Sequence, residues 1–215
     1  MIVIHQCISG FTQNVHYVHG VLKLSERMRR PESGIVDCCT HRIYFNRWND
    51  DWSKIAEHYW NVADLNLRNL TICVYAYSWG AGWGAMQLAK YLERAEIKVR
   101  VMVLCDPVYR HPKWYLRWLS LVHRDSHFAP AIKIPKNVRE VFHLHQRVNV
   151  PMGHKLIATG ETLLRPPIEL KRIHQKMDDA WEFQGLSLSV AKRIRNRQSL
   201  DDAHFMETSL EDMHF

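Results

Sequence analysis

The sequence contains no apolar run that approaches the roughly 20 residues needed to span a bilayer as a helix. Residues 1–7 lack both a basic region and a small-residue cleavage site, so we expect them to form a strand rather than a signal peptide. Internal repeats and low-complexity linkers are absent as well. With 47% hydrophobic and 24% charged residues, the 215-residue chain has the composition of one soluble domain with a full core.

Cysteine is scarce, and the spacing of the five cysteines matches neither a disulfide framework nor a metal site. All five fall within predicted strands, so we predict buried, reduced thiols in an intracellular, cytoplasmic protein. The sequence therefore indicates no metal and no other cofactor. The five residues are Cys7, Cys38, Cys39, Cys73 and Cys105.

Nucleic-acid-binding motifs are absent although the net charge is +7, so we predict no specific nucleic-acid partner. We interpret most of the excess charge as solvated helix faces. The same clusters could attract acidic partners or a membrane surface, which leaves peripheral membrane contact open. The pattern favours no particular oligomeric state. The clusters are Arg27, Arg29 and Arg30, then Lys113, Arg117 and Arg124, and finally Lys192, Arg193, Arg195 and Arg197.

Apolar, β-rich runs alternate with helical patterns along the chain. Such alternation is typical of a parallel sheet covered by helices, so we predict a doubly wound α/β fold. Several strands are almost continuously hydrophobic, as burial on both faces requires. We expect a mainly parallel sheet of five strands or slightly more. The predicted strands are 2–8, 35–44, 70–77, 99–105 and 138–145, and the predicted helices are 14–29, 51–65 and 80–94.

The remaining segments break this alternation. Residues 106–137 are rich in proline, aromatic and basic residues, and we interpret them as a lid, a lipid-contacting surface or an insertion packed on the sheet. Residues 146–180 are predicted to be a loop, followed by a last helix over 186–198. We assign residues 1–200 to a single domain and residues 201–215 to an acidic C-terminal tail.

A lone serine lies between an apolar run and a stretch rich in small residues. Residues 72–85 read ICVYAYSWGAGWGA, with Ser78 at the corner. A sharp strand-to-helix turn exposes such a hydroxyl, and the flanking positions must be small because the two backbones pass close together. Ala76, Gly80 and Ala81 meet that requirement. We interpret Ser78 as a candidate nucleophile.

A carboxylate follows the next predicted strand. Strand 99–105 ends at Asp106-Pro107, which places Asp106 at the carboxyl edge of the sheet, one strand from Ser78. Ligands bind at this edge in open parallel sheets. An Asp-Pro pair can also simply start a turn. Its position and its order after the serine favour a role in orienting a catalytic base.

A serine hydroxyl needs a general base, which we expect to be a histidine on a loop after the last long strand. Among the 14 histidines, His174 is the preferred candidate and His154 is the alternative. His143 and His145 alternate on the last predicted strand. We interpret these two as packing residues, because no carboxylate or cysteine has the spacing that a metal site requires.

These features resemble the α/β-hydrolase superfamily, in particular its compact esterases and lipases, over about residues 1–185. Two positions depart from the usual pattern, since Ala76 replaces a glycine and Ser9 replaces a histidine. The residues that carry the resemblance are Ser9-Gly10-Phe11 after the first strand, the turn around Ser78, Asp106 at a strand end, the Pro135-Lys-Asn-Val138 entry to the last strand, and His174 followed by Met177-Asp178-Asp179.

The resemblance implies a serine hydrolase that cleaves an ester, thioester or related acyl bond of a small-molecule or lipid substrate through an acyl-enzyme intermediate. Ser78 would attack the carbonyl, His174 would transfer the proton, and Asp106 would fix the imidazole tautomer. The backbone amides of Phe11 and Trp79 would form the oxyanion hole. No metal or cofactor is implied.

Other interpretations of these residues stay open. A hydrolase-like fold can act as a non-catalytic interaction or structural module, and a flavodoxin-like domain can bind an anion at the same sheet edge. Gly80, Gly82 and Gly84 match neither the dinucleotide fingerprint nor the P-loop, so we interpret them as packing positions. Tryptophans are either core residues or the lining of an acyl pocket, the candidates being Trp79, Trp83, Trp114 and Trp118.

Overall fold

The computed structural model describes residues 2–11, 13, 18–36, 40–62, 70–122 and 131–211, with the backbone alone at 120, 122 and 198–211. The strands are β1 (Ile2–Ile8), β2 (His41–Asn46), β3 (Leu70–Tyr77), β4 (Val99–Cys105), β5 (Ile132–Ile134), β6 (Glu140–Gln146), β7 (Leu156–Ala158), β8 (Leu163–Leu164) and β9 (Ile168–Leu170). The α-helices are α1 (Gly20–Arg29), α2 (Trp52–Val62), α3 (Ala85–Arg94), α4 (Arg117–Val122) and α5 (Trp181–Glu211).

The main sheet runs in the order β2-β1-β3-β4-β6, and both β8 and β9 extend it by pairing with β6. All of these pairings are parallel. Strands β5 and β7 form a separate two-stranded parallel sheet. The prediction of an α/β fold with a mainly parallel sheet is therefore confirmed, and the sheet has seven strands.

The two faces of the sheet bury separate hydrophobic clusters. Ile4 of β1 and Ile72 of β3 belong to the cluster that includes α2 and α3. Cys7 and Tyr75, whose side chains point to the opposite face, belong to the cluster that includes α1 and α5. Because helices cover both faces, the central strands need apolar side chains at nearly every position.

The predicted helix over 14–29 begins later in the structure. Helix α1 starts at Gly20, because the preceding His19 is extended and its side chain accepts a hydrogen bond of 3.3 Å from the Leu22 amide. This contact satisfies one of the amides that a helix start leaves without an intrahelical partner. Residues 14–17 lie outside the described part of the chain.

The second helix and second strand also shift at one end. Helix α2 begins after Asp51, whose carboxylate accepts hydrogen bonds from the amides of Ser53 and Lys54, and the predicted extension over 63–65 lies outside the described residues. The strand predicted from residue 35 begins later in the structure, since residues 35 and 36 are in no strand and β2 begins at His41, which pairs with Val3 of β1. Residues 37–39 lie outside the described part of the chain.

Two further corrections concern the C-terminal part of the chain. Residues 146–180, predicted as a loop, contain β7, β8 and β9. These strands have two or three residues each and are partly exposed, so they produce no hydrophobic run. The last helix, predicted over 186–198, is α5; it starts at Trp181 and takes in residues 201–211 of the predicted tail.

None of the described helices is long and apolar enough to cross a membrane.

Three of the five cysteines lie in the described strands. Cys7, Cys73 and Cys105 are buried and form no disulfide. Burial raises the pKa of the Cys7 and Cys73 thiols to about 12, so both stay protonated near neutral pH. Cys38 and Cys39 lie outside the described residues.

Candidate active site

The strand order reverses between β1 and β3, since β2 lies on one side of β1 and β3 and β4 lie on the other. Ligands of open parallel sheets bind beyond the carboxyl ends of the strands at such a reversal. Residues 9–11 follow β1, Ser78 follows β3 and Asp106 follows β4. Segments from three neighbouring strands therefore meet at one edge.

Ser78 occupies a sharp turn between β3 and a helix. Its φ is +55°, a left-handed conformation that is uncommon for residues other than glycine. The turn is fixed by backbone hydrogen bonds: the Ser78 amide donates to Cys105 O at 3.0 Å, and Ser78 O accepts from the amides of Gly82 and Val108. The hydroxyl-bearing residue is thus held rigidly beside the end of β4.

The small residues after Ser78 are explained by close packing. A Cβ at Gly80 would collide with the Ser9 carbonyl oxygen, and one at Gly82 would collide with the Val108 carbonyl oxygen. These glycines lie in a single π-helical turn (Gly80–Gly84) that leads into α3, a feature frequent at functional sites. The packing interpretation of Gly80 and Gly82 agrees with these contacts.

Asp106 lies directly after β4 and is fully buried. Its φ is also positive, at +46°, and its amide donates to Leu144 O at 2.7 Å. One carboxylate oxygen accepts a hydrogen bond of 3.2 Å from the Gln146 amide. The other lies 2.5 Å from His174 Nδ1. The carboxylate is therefore held by β6 on one side and faces the imidazole on the other.

His174 starts a short 3-10 helix (His174–Lys176) that precedes α5. Its Nε2 lies 2.9 Å from Ser78 Oγ. The backbone of His174 is anchored twice: its amide donates to Asn149 Oδ1 at 2.7 Å, and its carbonyl accepts from the Tyr77 hydroxyl at 2.7 Å. Burial raises the pKa of Tyr77, so its phenol stays a donor. The structure thus brings Ser78, His174 and Asp106 into one hydrogen-bonded chain.

The alternative base, His154, lies elsewhere. It is fully buried, its amide donates to Pro107 O at 2.7 Å, and its Nδ1 accepts a hydrogen bond from the Tyr109 amide. These contacts fix the segment that follows Asp106. His154 therefore supports the backbone near the site, whereas Ser78 is contacted by His174.

His143 and His145 lie side by side on β6, as predicted. Their facing ring nitrogens are 2.6 Å apart, and His143 Nε2 donates to Arg165 O at 2.9 Å. Burial lowers the pKa of His143, which favours the neutral ring. Within the described part of the chain, no group of three or more histidine, cysteine, aspartate or glutamate residues is placed to hold a metal ion.

The two predicted oxyanion donors lie on neighbouring segments. Phe11 and Trp79 follow β1 and Ser78 respectively, and their rings pack with centroids 4.4 Å apart. Neither amide is a donor in the described backbone hydrogen bonds of turns, loops and caps. The assignment of both N–H groups to an oxyanion stays a prediction.

A partly buried brace holds the loop that carries Phe11. Gln13 Oε1 accepts a hydrogen bond of 2.9 Å from the Gly10 amide, and Gln13 Nε2 donates to Asp178 Oδ2 at 2.6 Å. Asp178 also accepts from the Val21 amide, and burial raises the pKa of its carboxyl. The sequence marked Asp178 as part of the resemblance but predicted no role for Gln13, because the contact joins segments 165 positions apart.

The four tryptophans proposed as a pocket lining divide into two pairs. Trp79 is buried and Trp83 is partly buried in the turn after β3. Trp114 and Trp118 are 74% and 71% exposed, so they line no enclosed pocket. They lie in the segment predicted as a lid or insertion, of which residues 123–130 are outside the described chain.

Comparison of the sequence with protein-family models and with curated proteins found no match. The functional conclusion is therefore carried by the side chains themselves.

Proposed function

We propose that the protein is a serine hydrolase that cleaves an ester, thioester or related acyl bond. One observation carries the proposal: the hydrogen-bonded chain from Ser78 Oγ through the His174 ring to Asp106, with distances of 2.9 and 2.5 Å. A non-catalytic module has no need to bring these three buried side chains together. The same hydrogen-bonded set of serine, histidine and carboxylate recurs in hydrolases of unrelated fold, since the catalytic role depends on the geometry of the three side chains rather than on the fold.

The reaction follows from the positions of the protons. With Nδ1 donating to Asp106, Nε2 of His174 is free to accept the Ser78 proton as Oγ attacks the acyl carbon. The tetrahedral intermediate collapses, the bond to the leaving group breaks, and His174 returns the proton to that group. Water then repeats the sequence on the acyl-enzyme, which releases the acid and restores the Ser78 hydroxyl.

Charge that develops on the carbonyl oxygen needs donors already in place. The amides of Phe11 and Trp79 border the turn of Ser78, and each such donor typically contributes about 3–4 kcal/mol of transition-state stabilisation. The Gln13–Asp178 brace keeps the first donor's loop in position. Rigid placement matters because misaligned donors contribute little.

The same proposal extends to the fold and the substrate. The strand order, the Ser78 turn and the order of serine, acid and histidine along the chain support a compact α/β-hydrolase fold acting in the cytoplasm on a small-molecule or lipid acyl substrate. The exposed Trp114 and Trp118, together with Arg117 between them, support peripheral contact with a membrane.

A fluorophosphonate probe tests the proposal directly, because it reacts covalently with activated serines. We expect the probe to label the wild-type protein and to leave Ser78→Ala unlabelled, and we expect turnover of p-nitrophenyl butyrate to fall by about 10⁶-fold in the variant. Mass spectrometry of the labelled peptide identifies the modified residue.

The matched control is Ser187→Ala. Ser187 is a fully buried serine on α5 whose hydroxyl has no hydrogen-bond partner among the described residues. This variant should label like the wild type. Absence of labelling in well-folded wild-type protein, or equal labelling of Ser78→Ala, contradicts the proposal.

A further inference from the structure

A second group of side chains lies at the same edge of the sheet and takes no part in the triad. Arg110 belongs to the segment after β4, and its guanidinium lies over the rings of three tryptophans. The guanidinium carbon is 5.0 Å from the ring centroid of Trp48, 5.9 Å from that of Trp79 and 4.7 Å from that of Trp83. These distances are typical of cation–π contact.

The tryptophans come from segments that follow two different strands. Trp48 lies after β2, whereas Trp79 and Trp83 lie in the turn after β3. Trp79 directly follows Ser78 in the chain, and its ring packs against both Phe11 and Trp48, at 4.4 and 5.0 Å. The group formed by Arg110, Trp48, Trp79 and Trp83, here called the Arg110 cage, therefore borders the nucleophile and the proposed oxyanion donors.

The charge of Arg110 has no counterion in the described structure. Arg110 takes part in none of the ion pairs among the described residues, and its Nε is buried without a hydrogen-bond partner there. Partial burial and the nearby Arg117 lower the pKa of Arg110, although a guanidinium stays protonated at physiological pH. A cation partly removed from water and unpaired is unfavourable, so this position favours an incoming anion.

The chemistry of the side chain narrows the kind of anion. A guanidinium presents a planar fork of N–H donors that matches carboxylate and phosphate oxygens, and stacking on aromatic rings leaves that fork available at its edge. Stacking on several rings also limits the rotamer freedom of the arginine, so less entropy is lost when the anion binds. Arg117 adds further positive charge on the same segment.

We propose that the Arg110 cage binds an anionic group, a carboxylate or a phosphate, on the acyl substrate while Ser78 attacks the carbonyl. This inference rests on the proposed serine hydrolase function. It names the substrate class as acyl esters or thioesters with a negative charge near the scissile bond. Arg110 acts as a specificity residue and takes no part in proton transfer.

The test compares esters that differ in charge. The neutral reference is p-nitrophenyl butyrate; p-nitrophenyl hemiglutarate carries a carboxylate on the acyl side, and 5-butyryloxy-2-nitrobenzoate carries one on the leaving group. In wild-type protein we expect higher kcat/KM for one of the anionic esters than for the neutral ester. In Arg110→Met this ratio should fall by about 10- to 100-fold, the value of one hydrogen-bonded charge pair.

The anionic ester whose kcat/KM ratio falls in Arg110→Met identifies whether the anion belongs to the acyl chain or to the leaving group. Arg110→Lys keeps the charge but loses the planar fork, so we expect it to restore part of the ratio. The matched control is Arg94→Met, since Arg94 also lies over an aromatic ring, that of Tyr91 at 5.2 Å, but ends α3 at the opposite edge of the sheet. Its ratio should equal that of the wild type.

A labelling experiment separates this inference from the proposed function. Glutarate should slow fluorophosphonate labelling of Ser78 in the wild type more than the neutral glutaramide does, and Arg110→Met should abolish the difference. The anion site is overturned, and the hydrolase function stands, if three results occur together. Ser78 is labelled normally, Arg110→Met leaves the kcat/KM ratios of anionic to neutral ester unchanged, and glutarate slows labelling no more than glutaramide does. Equal losses on all three esters with a lower Tm assign Arg110 a purely structural role, which also overturns the inference. No labelling of the wild type refutes the hydrolase itself.

Discussion

Two buried histidines of the described chain, His174 and His5, differ in the partners of their ring nitrogens. His174 has the Asp106 carboxylate on Nδ1 at 2.5 Å and the Ser78 hydroxyl on Nε2 at 2.9 Å. The proton that Nε2 would accept is thus available from a hydroxyl, and the positive ring that results would lie beside a negative charge. This is the environment that proton transfer requires.

His5, in the middle of β1, is the opposite case. Its Nδ1 lies 3.1 Å from the Tyr75 hydroxyl and its Nε2 lies 3.0 Å from His41 Nδ1, so neither partner is a carboxylate. Burial, with a smaller contribution from His41, lowers the pKa of His5 to about 3. This ring stays neutral at physiological pH and has a structural role. Burial alone therefore does not make a histidine a base; the partner of its second nitrogen does.

Asp106→Asn should remove most of the difference between His174 and His5, because it gives His174 a neutral partner like those of His5. An asparagine amide would donate to Nδ1 and force the tautomer that leaves Nε2 protonated. We expect kcat for an acyl ester to fall by about 10⁴-fold, as in other triads. Asparagine tolerates positive φ, so the fold should be retained. Steady-state kinetics and thermal unfolding measure both effects, and a loss below 10-fold contradicts the role of Asp106.

Gln13→Met tests the Phe11 loop separately from the imidazole, since it leaves the surroundings of His174 intact and removes the brace on that loop. The variant loses both side-chain hydrogen bonds, to the Gly10 amide and to Asp178. We expect kcat to fall by about 10- to 100-fold, less than the 10²–10³ for complete loss of an oxyanion donor, with KM nearly unchanged. A lower Tm with kcat intact shows a merely structural contact.

His5→Gln has the smallest expected effect, and it acts on stability. The folded pKa of His5, about 3, lies below the ordinary 6.5, so the unfolded chain binds more protons in that window. The contribution of the neutral ring is complete above pH 6.5 and is lost as the pH falls towards 3. Removing this titration should flatten the dependence of the unfolding free energy on pH by up to about 1.4 kcal/mol per pH unit.

Urea denaturation at several pH values between 4.5 and 7.5 measures this slope. His58→Gln is the matched control, because it makes the same substitution at an exposed position on α2. If the unfolding free energy of His5→Gln depends on pH as steeply as that of the wild type, the assignment of acid sensitivity to the His5–His41 pair is wrong. Activity at pH 7.5 should be unaffected in both variants.

Much of the fold was predictable because the central strands are buried on both faces. Strands β1, β3 and β4 read as mostly apolar runs, and their boundaries agree with the prediction to the residue. The short strands β7, β8 and β9 were missed because partly exposed strands of two or three residues have no periodicity to detect. The start of α5 was missed because Trp181, at its first position, is 72% exposed.

The site was predictable where a residue's place along the chain determines its place in the sheet. Ser78 and Asp106 directly follow adjacent parallel strands, so the topology alone brings them to one edge. His174 was selected by its order in the chain and by resemblance. The roles proposed for Gln13 and Arg110 depend on loop conformation and on contacts across distant segments, and neither leaves a local pattern.

The left-handed backbone of Ser78 has an evolutionary consequence. A glycine there would relieve roughly 1–3 kcal/mol of conformational strain, so selection for durability alone favours losing the hydroxyl. The proposed role of Ser78 as a nucleophile would supply a chemical benefit that offsets this penalty. Descendants released from that chemistry are expected to drift towards glycine at this position first.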